Sequence, residues 1–208
     1  MRLPIAQPLL KLRGEQPGAD LFAMELVLER WYHEQALEAA QRSPGAAGVL
    51  VSALDLEADI TNLLIALRFA HAPAERQALS ERRCDSDLTP LFVRPGLLPL
   101  ALLAMVGEQN RVQDALSVLA TTRYREPFAL GMEAYAQSGR LSDLEKRLRC
   151  FRLHWLARLI AKDPLGIGVV LGYLALKTGE VANIRWIAYG LDLGLRPDII
   201  QQELEFAP

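Results

Sequence analysis

The sequence predicts an all-α protein built from two related helical bundles. Alanine, leucine, glutamate, glutamine and arginine, which favour helices, dominate its 208 residues. Runs of alternating apolar and polar residues, which indicate strands, are missing. The first and last parts of the chain also carry the same series of helices, prolines and glycines, about 120 residues apart. With 51% hydrophobic residues the chain can bury a sizeable core, which excludes a disordered tail.

Charge, cysteine content and hydropathy narrow the class of protein. The formal net charge of −2 gives no long-range positive field, so we expect no nucleic-acid partner. Two cysteines, Cys84 and Cys150, cannot form a disulfide framework and indicate a reducing compartment. The proline-interrupted segment 1–12 does not resemble a signal peptide. The most apolar runs, 97–106 and 165–176, are shorter than the ~20 residues that cross a bilayer, so we expect no direct membrane span.

Turn residues divide the first part of the chain into four predicted helices, which cover 20–42, 46–54, 55–70 and a short segment from Pro73. Asp20 is a candidate N-cap for the first of them, and Asp55 begins the third. Pro44-Gly45 ends the first helix. Pro73 suits a first helical turn, where its missing N–H would have no partner.

The middle third combines a loop with short helices. Its composition predicts a loop over 83–96, followed by helices over 97–106, 110–120 and 126–138. Asn110 is a candidate cap for the second of these helices. Gly139 follows the last one, where glycine adopts a left-handed conformation at low cost.

In the last third we predict helices over 142–162, 165–177 and 180–191, with a final helix from Pro197. Ser142 and Glu145 have the spacing of a capping box, in which each side chain bonds the other's backbone amide. Pro164 and Gly194 separate the helices. We expect Trp31 and Trp186 to be largely buried.

An internal repeat is the strongest feature of the sequence. A shift of 120 residues matches Glu25 with Glu145, Leu28 with Leu148, Trp31 with Phe151, Pro44 with Pro164, and Gly48 with Gly168. One further inserted residue aligns Asp59-x-x-Asn62 with Glu180-x-x-Asn183. This period exceeds the ~20–50 residues of solenoid repeats and is the size of a small domain. We therefore expect two copies of one helical bundle, joined through the middle third.

Three stretches of the second repeat occur in an order typical of one family. They are PLGIGVVLGYL at 164–174, EVANIR at 180–185 and GLDLGLRP at 190–197. Together they resemble the end of the C subunit of the V-type (A/V-type) ATP synthase, whose eukaryotic counterpart is the d subunit of the vacuolar proton pump. LERWY at 28–32 and DITNLL at 59–64 are similar to the preceding repeat of that family. The resemblance covers about residues 20–206 and is weakest between 74 and 93.

This resemblance implies an all-helical subunit with three related bundles around a pseudo-threefold axis. They form a funnel on the cytoplasmic face of the rotor ring and receive the central shaft. Because only two repeats are found here, we expect a subset of that funnel, from a shortened product or a reduced family member. The expected parts are an N-terminal segment at 1–19 (a possible remnant of a missing repeat), a first repeat at 20–87, connecting helices at 88–140 and a second repeat at 141–208.

No residue pattern indicates catalysis, a cofactor site or a metal site. His33-Glu34 begins like a zinc-protease helix motif, but Leu37 stands where the second histidine is needed. There is no GxxxxGK[ST] motif, so we expect no ATP hydrolysis by this chain and no small-molecule substrate. Cys150 is interpreted as a small hydrophobic residue of a helix rather than a nucleophile.

Five polar residues are candidate partner contacts or structural repeat positions: Asn62, Arg68, Glu180, Asn183 and Arg185. A buried amide must be hydrogen-bonded, or it costs ~1–3 kcal/mol. The two asparagines therefore either bond another helix or loop of their own bundle, or face the shaft. The charged heads of the two arginines must reach solvent, a carboxylate or a partner.

The sequence thus predicts a non-catalytic central-stalk subunit, cytoplasmic and peripheral to the membrane. It would couple the central shaft to the membrane rotor ring of a V-type ATPase, for ion transport. A free-standing helical scaffold or adaptor derived from that family is the alternative. A helical enzyme would need converging acids, bases or a metal, for example His33, His154 and carboxylates around one pocket.

Overall fold

The computed structural model describes residues 5–15, 18, 21–94 and 96–206 of the chain. Within these ranges the protein is all-α, as the sequence predicts, with helices joined by turns and no strand. The predicted cap Asp20 lies outside the described residues. The chain divides into two compact units, Met1–Thr121 (unit 1) and Thr122–Pro208 (unit 2).

Unit 1 is centred on its longest helix. Its helices are α1 (Ala6–Glu15), α2 (Leu21–Gln41), α3 (Ala47–His71), α4 (Pro73–Arg83), α5 (Leu100–Gly107) and α6 (Ala115–Val118), with 3-10 turns at Thr89–Leu91 and Val112–Asp114. α2, α4 and α5 pack against α3, and α1 packs against α2. Leu56, Leu63 and Leu67 of α3 are fully buried. Burial of each such side chain stabilises the fold by about 1.5–3 kcal/mol.

α3 continues without a break through residues 54 and 55, where the sequence predicts the end of one helix and the start of the next. That prediction is wrong because Asp55 does not cap a helix. Its Oδ1 instead accepts a hydrogen bond of 2.9 Å from Nη2 of Arg94. The predicted stop before α3 is confirmed: α2 ends at Gln41, and Gly45 has a left-handed φ of 72°.

The connection after α5 is less regular than predicted. α5 begins at Leu100 and not at Leu97, whose side chain is exposed. The helix predicted after Asn110 is a 3-10 turn followed by the four residues of α6. Asn110 does not cap it, because its Oδ1 accepts a hydrogen bond of 3.0 Å from Nη2 of Arg76.

Unit 2 is built around two long helices. Its helices are α7 (Arg125–Ser138), α8 (Leu141–Ala157), α9 (Leu159–Lys162), α10 (Ile167–Asp192) and α11 (Pro197–Glu203). α7 and α10 pack against α8, and α9 and α11 also contact α10. Gly139 ends α7 with a φ of 68°, as predicted. An ion pair of 2.6 Å between Arg140 and Glu203 links the start of α8 to α11.

The predicted capping box at the start of α8 is wrong. The N-cap position is Arg140, which makes no side-chain capping bond, and Ser142 already lies inside the helix. The loop is held differently: Ser138 Oγ donates to Asp143 Oδ2, and the Arg140 backbone amide donates to Ser138 Oγ.

α10 is one helix of 26 residues, although the sequence predicts two helices separated near residue 178. The glycine at this point, Gly179, does not interrupt it and faces Leu153 of α8. By length and composition alone α10 could cross a membrane, with a mean hydropathy of 1.2 in a window that is 11% buried. The prediction that Trp186 is largely buried is wrong: its side chain is 47% exposed, although it lies on the same side of α10 as Gly179, which faces Leu153 of α8. Trp31 is half-buried.

Candidate functional site

Asn62 joins α3 to the non-helical residues that follow the 3-10 turn at 89–91. Its side chain is fully buried. Its Oδ1 accepts a hydrogen bond from the Val93 backbone amide (2.8 Å), and its Nδ2 donates to the Arg94 carbonyl (2.7 Å). Both polar atoms of the amide are therefore satisfied inside unit 1, which removes the cost of burying them.

Asn183 makes the matching pair of bonds in unit 2. Its Oδ1 accepts a hydrogen bond from the Glu205 backbone amide (2.8 Å), and its Nδ2 donates to the Glu205 carbonyl (2.6 Å). Each asparagine thus binds a non-helical segment: segment 92–94, which follows the 3-10 turn of unit 1, and segment 204–206, which follows α11 in unit 2. Of the two roles considered from the sequence, these contacts fit the helix-to-loop bond.

Basic side chains from the preceding long helix hold the same segments. In unit 1, Arg30 of α2 donates to the Phe92 carbonyl through Nε (3.0 Å) and Nη2 (2.9 Å), and also to the Pro90 carbonyl. In unit 2, Nε of Arg149 of α8 lies 2.6 Å from Glu205 Oε1. From the sequence, Arg30 is expected in water and Arg149 on a solvated or partner-binding basic face, because their targets are distant along the chain.

Segment 92–94 also carries an ion pair that is largely shielded from solvent. The Arg94 guanidinium lies 2.9 Å from Asp55 Oδ1, and these side chains are 11% and 17% exposed. The neighbouring carboxylate of Asp59 accepts a hydrogen bond of 3.0 Å from the Leu98 backbone amide. A Cβ at Gly96 would overlap that carboxylate, so the chain can pass here only as glycine.

The remaining predicted site residues lie on the surface of α3 and α10. Arg68 and Arg185 are exposed, and Glu180 accepts a hydrogen bond of 2.5 Å from Lys177 Nζ. The two arginines are therefore exposed to solvent, whereas Asn62 and Asn183 are hydrogen-bonded to backbone groups of their own units.

His33 is a buried titratable residue of unit 1. It is 1% exposed, its Nε2 lies 4.0 Å from Glu29, and its Nδ1 has no hydrogen-bond partner among the described residues. Burial lowers the pKa of the imidazole, the Arg94 cation lowers it further, and Glu29 opposes both effects. In residues 5–15, 18, 21–94 and 96–206, no group of three histidine, cysteine or acidic residues could hold a metal ion.

A cavity of about 970 Å³ in unit 2 is lined by α7, α8 and residues 202–206. Charges of both signs line it, and His154 and Cys150 lie beside them: the charged residues are Glu126, Asp143, Lys146, Arg147 and Arg158. Burial raises the pKa of the Cys150 thiol, and the negative charge of Glu205 raises it further. A raised pKa opposes formation of the thiolate, so this cysteine is unsuited to nucleophilic catalysis.

Two helical units, each closed by an asparagine-bound segment, define a helical-bundle protein whose polar clusters serve its own packing. The chain belongs to the ATP synthase (C/AC39) subunit family, whose family model matches residues 2–203.

Curated relatives of this chain are each named as the C subunit of an A-type ATP synthase. The protein of Methanobrevibacter smithii is 27% identical over 170 residues, which are 81% of this chain and 42% of the relative. That of Pyrococcus horikoshii is 27% identical over 199 residues (94% and 50%), and that of Halobacterium salinarum 30% over 189 residues (88% and 50%). The chain thus spans about half the length of these relatives. No solved structure matches it significantly.

Proposed function

We propose that this protein is a non-catalytic central-stalk subunit of a V-type rotary ATPase. It would couple the rotor shaft to the membrane-embedded ring during ion transport, and lie peripherally on the cytoplasmic side. The observation that carries this proposal is the family match over residues 2–203, together with relatives named as the C subunit of A-type ATP synthases. The proposed role is mechanical and requires no cofactor, metal or small-molecule substrate.

The internal contacts of each unit suit a part that transmits torque. Asn62 with Arg30, and Asn183 with Arg149, fix an extended segment to two helices at once. Close-packed interiors also resist continuous deformation. Each unit would therefore move as a body when a force acts on its surface.

We also propose that the two units are copies of one ancestral bundle. In both, a pair of packed helices precedes a long helix, and a proline-led helix and an asparagine-bound segment follow. Leu12 of α1 and Met132 of α7, 120 residues apart, are both buried. The first repeat at 20–87 and the second at 141–208 would each lie within one of these copies.

Co-expression with the shaft subunits and the rotor ring of the same organism tests the function. We expect this chain to co-purify with both, and failure to bind either would overturn the proposal. Arg68→Glu and Arg185→Glu test the candidate contacts, since both side chains are exposed. Arg82→Glu, on the exposed surface of α4, is the matched control and should leave binding unchanged.

A free-standing helical scaffold or adaptor derived from this family is the second candidate. The genes beside its reading frame distinguish the two functions. Flanking genes for ATPase head and ring subunits would support the stalk subunit, and an isolated gene would support the scaffold.

A further inference from the structure

The cavity of unit 2 is a groove that follows one face of α8. Four of its lining residues recur every three or four positions and therefore form one stripe of the helix: Arg147, Phe151, His154 and Arg158. α7 contributes apolar side chains to the lining, among them Pro127 and Leu130. The groove therefore combines an apolar centre with a cation towards each end, and we call it the α7–α8 groove.

The two arginines of this stripe have no carboxylate partner within residues 122–206 of unit 2. The ion pairs of that range involve other cations. Asp143, which also lines the groove, already binds Ser138 Oγ and Arg140. The lining as a whole carries three lysine or arginine cations and two carboxylates. The α7–α8 groove thus has a net positive charge that its own lining does not neutralise.

Unit 1 shows what closes the corresponding place there. In the alignment with a shift of 120 residues, Arg30 matches Cys150. The Arg30 guanidinium reaches across from α2 to the carbonyls of Pro90 and Phe92. The side chain of cysteine is much shorter than that of arginine. α8 therefore leaves room beside segment 204–206, whereas in unit 1 the Arg30 side chain fills the matching space.

The charges at one end of the groove also differ from those of unit 1. Glu38 and Arg42 form an ion pair of 2.5 Å at the end of α2, one helical turn apart. The matching residues of unit 2 are two cations, Arg158 and Lys162. Like charges at this spacing weaken a helix. An anionic partner would offset this repulsion, so charge complementarity favours an acidic occupant of the α7–α8 groove.

We propose that the α7–α8 groove binds a helix of a partner protein, with two acidic side chains eleven residues apart and apolar side chains between them. Arg147 and Arg158 are also eleven residues apart, so their Cα atoms are separated by about 16 Å. Because eleven residues complete about three helical turns, both acids of the partner lie on one face and can meet both arginines. A compact ligand would reach only one of them. The apolar side chains would cover Leu130 and Phe206, which are 48% and 64% exposed.

This inference does not rest on the proposed function, and its test uses the full chain with a synthetic peptide. The peptide is fluorescein-labelled, helical and rich in alanine, about 16 residues long, with two glutamates eleven positions apart and leucines between them. Fluorescence anisotropy should show saturable binding that weakens as the ionic strength rises. Arg147→Glu and Arg158→Glu should each weaken binding at least about fivefold, because each replaces an attraction by a repulsion.

Arg196→Glu is the matched control for these two variants. Arg196 is exposed in the same unit and does not line the groove, so its substitution should leave the affinity for the peptide unchanged. Circular dichroism should show that all three variants fold. A peptide with lysines in place of the two glutamates should bind the combined Arg147→Glu, Arg158→Glu variant more tightly than it binds the wild type.

Four results would overturn the proposal. The first is a full chain that does not bind the glutamate peptide, and the second is an equal loss of affinity in the Arg147, Arg158 and Arg196 variants. The third is equal affinity for a peptide with a central proline, since the occupant would then not be a helix. The fourth is binding to phosphatidylcholine–phosphatidylglycerol vesicles that Arg147→Glu and Arg158→Glu abolish, which would assign the two cations to lipid.

Discussion

Asn62 and Asn183 make the same pair of hydrogen bonds, one in each unit of the protein. In both, the side-chain oxygen accepts from a backbone amide and the side-chain nitrogen donates to a backbone carbonyl of an extended segment. Because an amide side chain carries both a donor and an acceptor, it can replace the two bonds that a neighbouring strand would make. The long helix of each unit therefore fixes the position of its closing segment.

Removal of the Asn62 amide should destabilise unit 1. Asn62→Ala leaves the Val93 amide and the Arg94 carbonyl without their partner, and we expect a loss of about 1–3 kcal/mol in the free energy of unfolding. Asn183→Ala should cost less, since Asn183 is only half-buried and water can replace the amide. Urea denaturation followed by circular dichroism measures both effects. Asn110→Ala on the surface is the control, and an equal loss in all three variants would contradict this account.

Two matched glycines should respond in opposite ways to substitution by alanine. Gly168 lies in α10 close to α9, and an added Cβ would stand 2.9 Å from the Leu159 carbonyl oxygen. Gly48 lies near the start of α3 with no atom within 4 Å of such a Cβ. Gly168→Ala should therefore lower stability by about 1–3 kcal/mol, and Gly48→Ala should raise it by about 0.4–1 kcal/mol. Thermal unfolding of the two variants and the wild type measures these effects. If both variants shifted the unfolding temperature in the same direction, the prediction would be wrong.

His33 should make the stability of the protein depend on pH. Its pKa is lowered in the folded state from 6.5, so the unfolded chain binds the proton more readily. The neutral imidazole of His33 therefore makes its full contribution to the free energy of unfolding above about pH 6.5. As the pH falls towards the pKa of the folded state, this contribution is lost at up to ~1.4 kcal/mol for each pH unit. Urea titrations at several pH values measure this slope. His33→Gln cannot titrate, so an unchanged slope in that variant would rule out His33 as the source.

The ion pair between Arg94 and Asp55 should show strong coupling in a double-mutant cycle. Arg94→Met leaves a shielded carboxylate without its cation, and we expect a loss of about 3 kcal/mol. Asp55→Leu combined with Arg94→Met should recover a large part of it, because neither charge then remains. Arg94→Met also removes a cation that lowers the pKa of His33. The free energy of unfolding of this variant should therefore depend less on pH than that of the wild type. If the loss of stability in the double variant equalled the sum of the losses in Arg94→Met and Asp55→Leu, the two side chains would not be coupled and the prediction would be wrong.

The sequence predicted those helix boundaries that depend on one residue. Gly45 and Gly139 lie in left-handed conformations at the expected helix ends, and Pro73 and Pro197 begin the expected short helices. These residues act through their own backbone preferences, which do not depend on distant parts of the chain.

The sequence could not predict features that depend on residues brought together by folding. Asp55 has the position of a helix cap, yet its carboxylate binds Arg94. Ser142 has capping-box spacing, yet the hydrogen bond at this helix start joins Ser138 to Asp143. Likewise, a large apolar residue such as Trp186 favours burial, yet its side chain is 47% exposed, because exposure depends on how far the neighbouring helices extend over it. The sequence identified both asparagines as informative, but only the structure shows the backbone groups to which they bind.

Glycines form the buried side of α10, and this has a consequence for how unit 2 can vary between species. Gly168, Gly172 and Gly190 offer no side chains, so the surroundings of this helix are shaped by neighbours such as Ile160 and Ile200. On this side of α10, sequence changes are therefore confined to the residues that face the glycines. The glycine positions themselves can hold only the smallest residue. A natural variant that gained bulk at one of these glycines would need a simultaneous loss of bulk at the residue facing it.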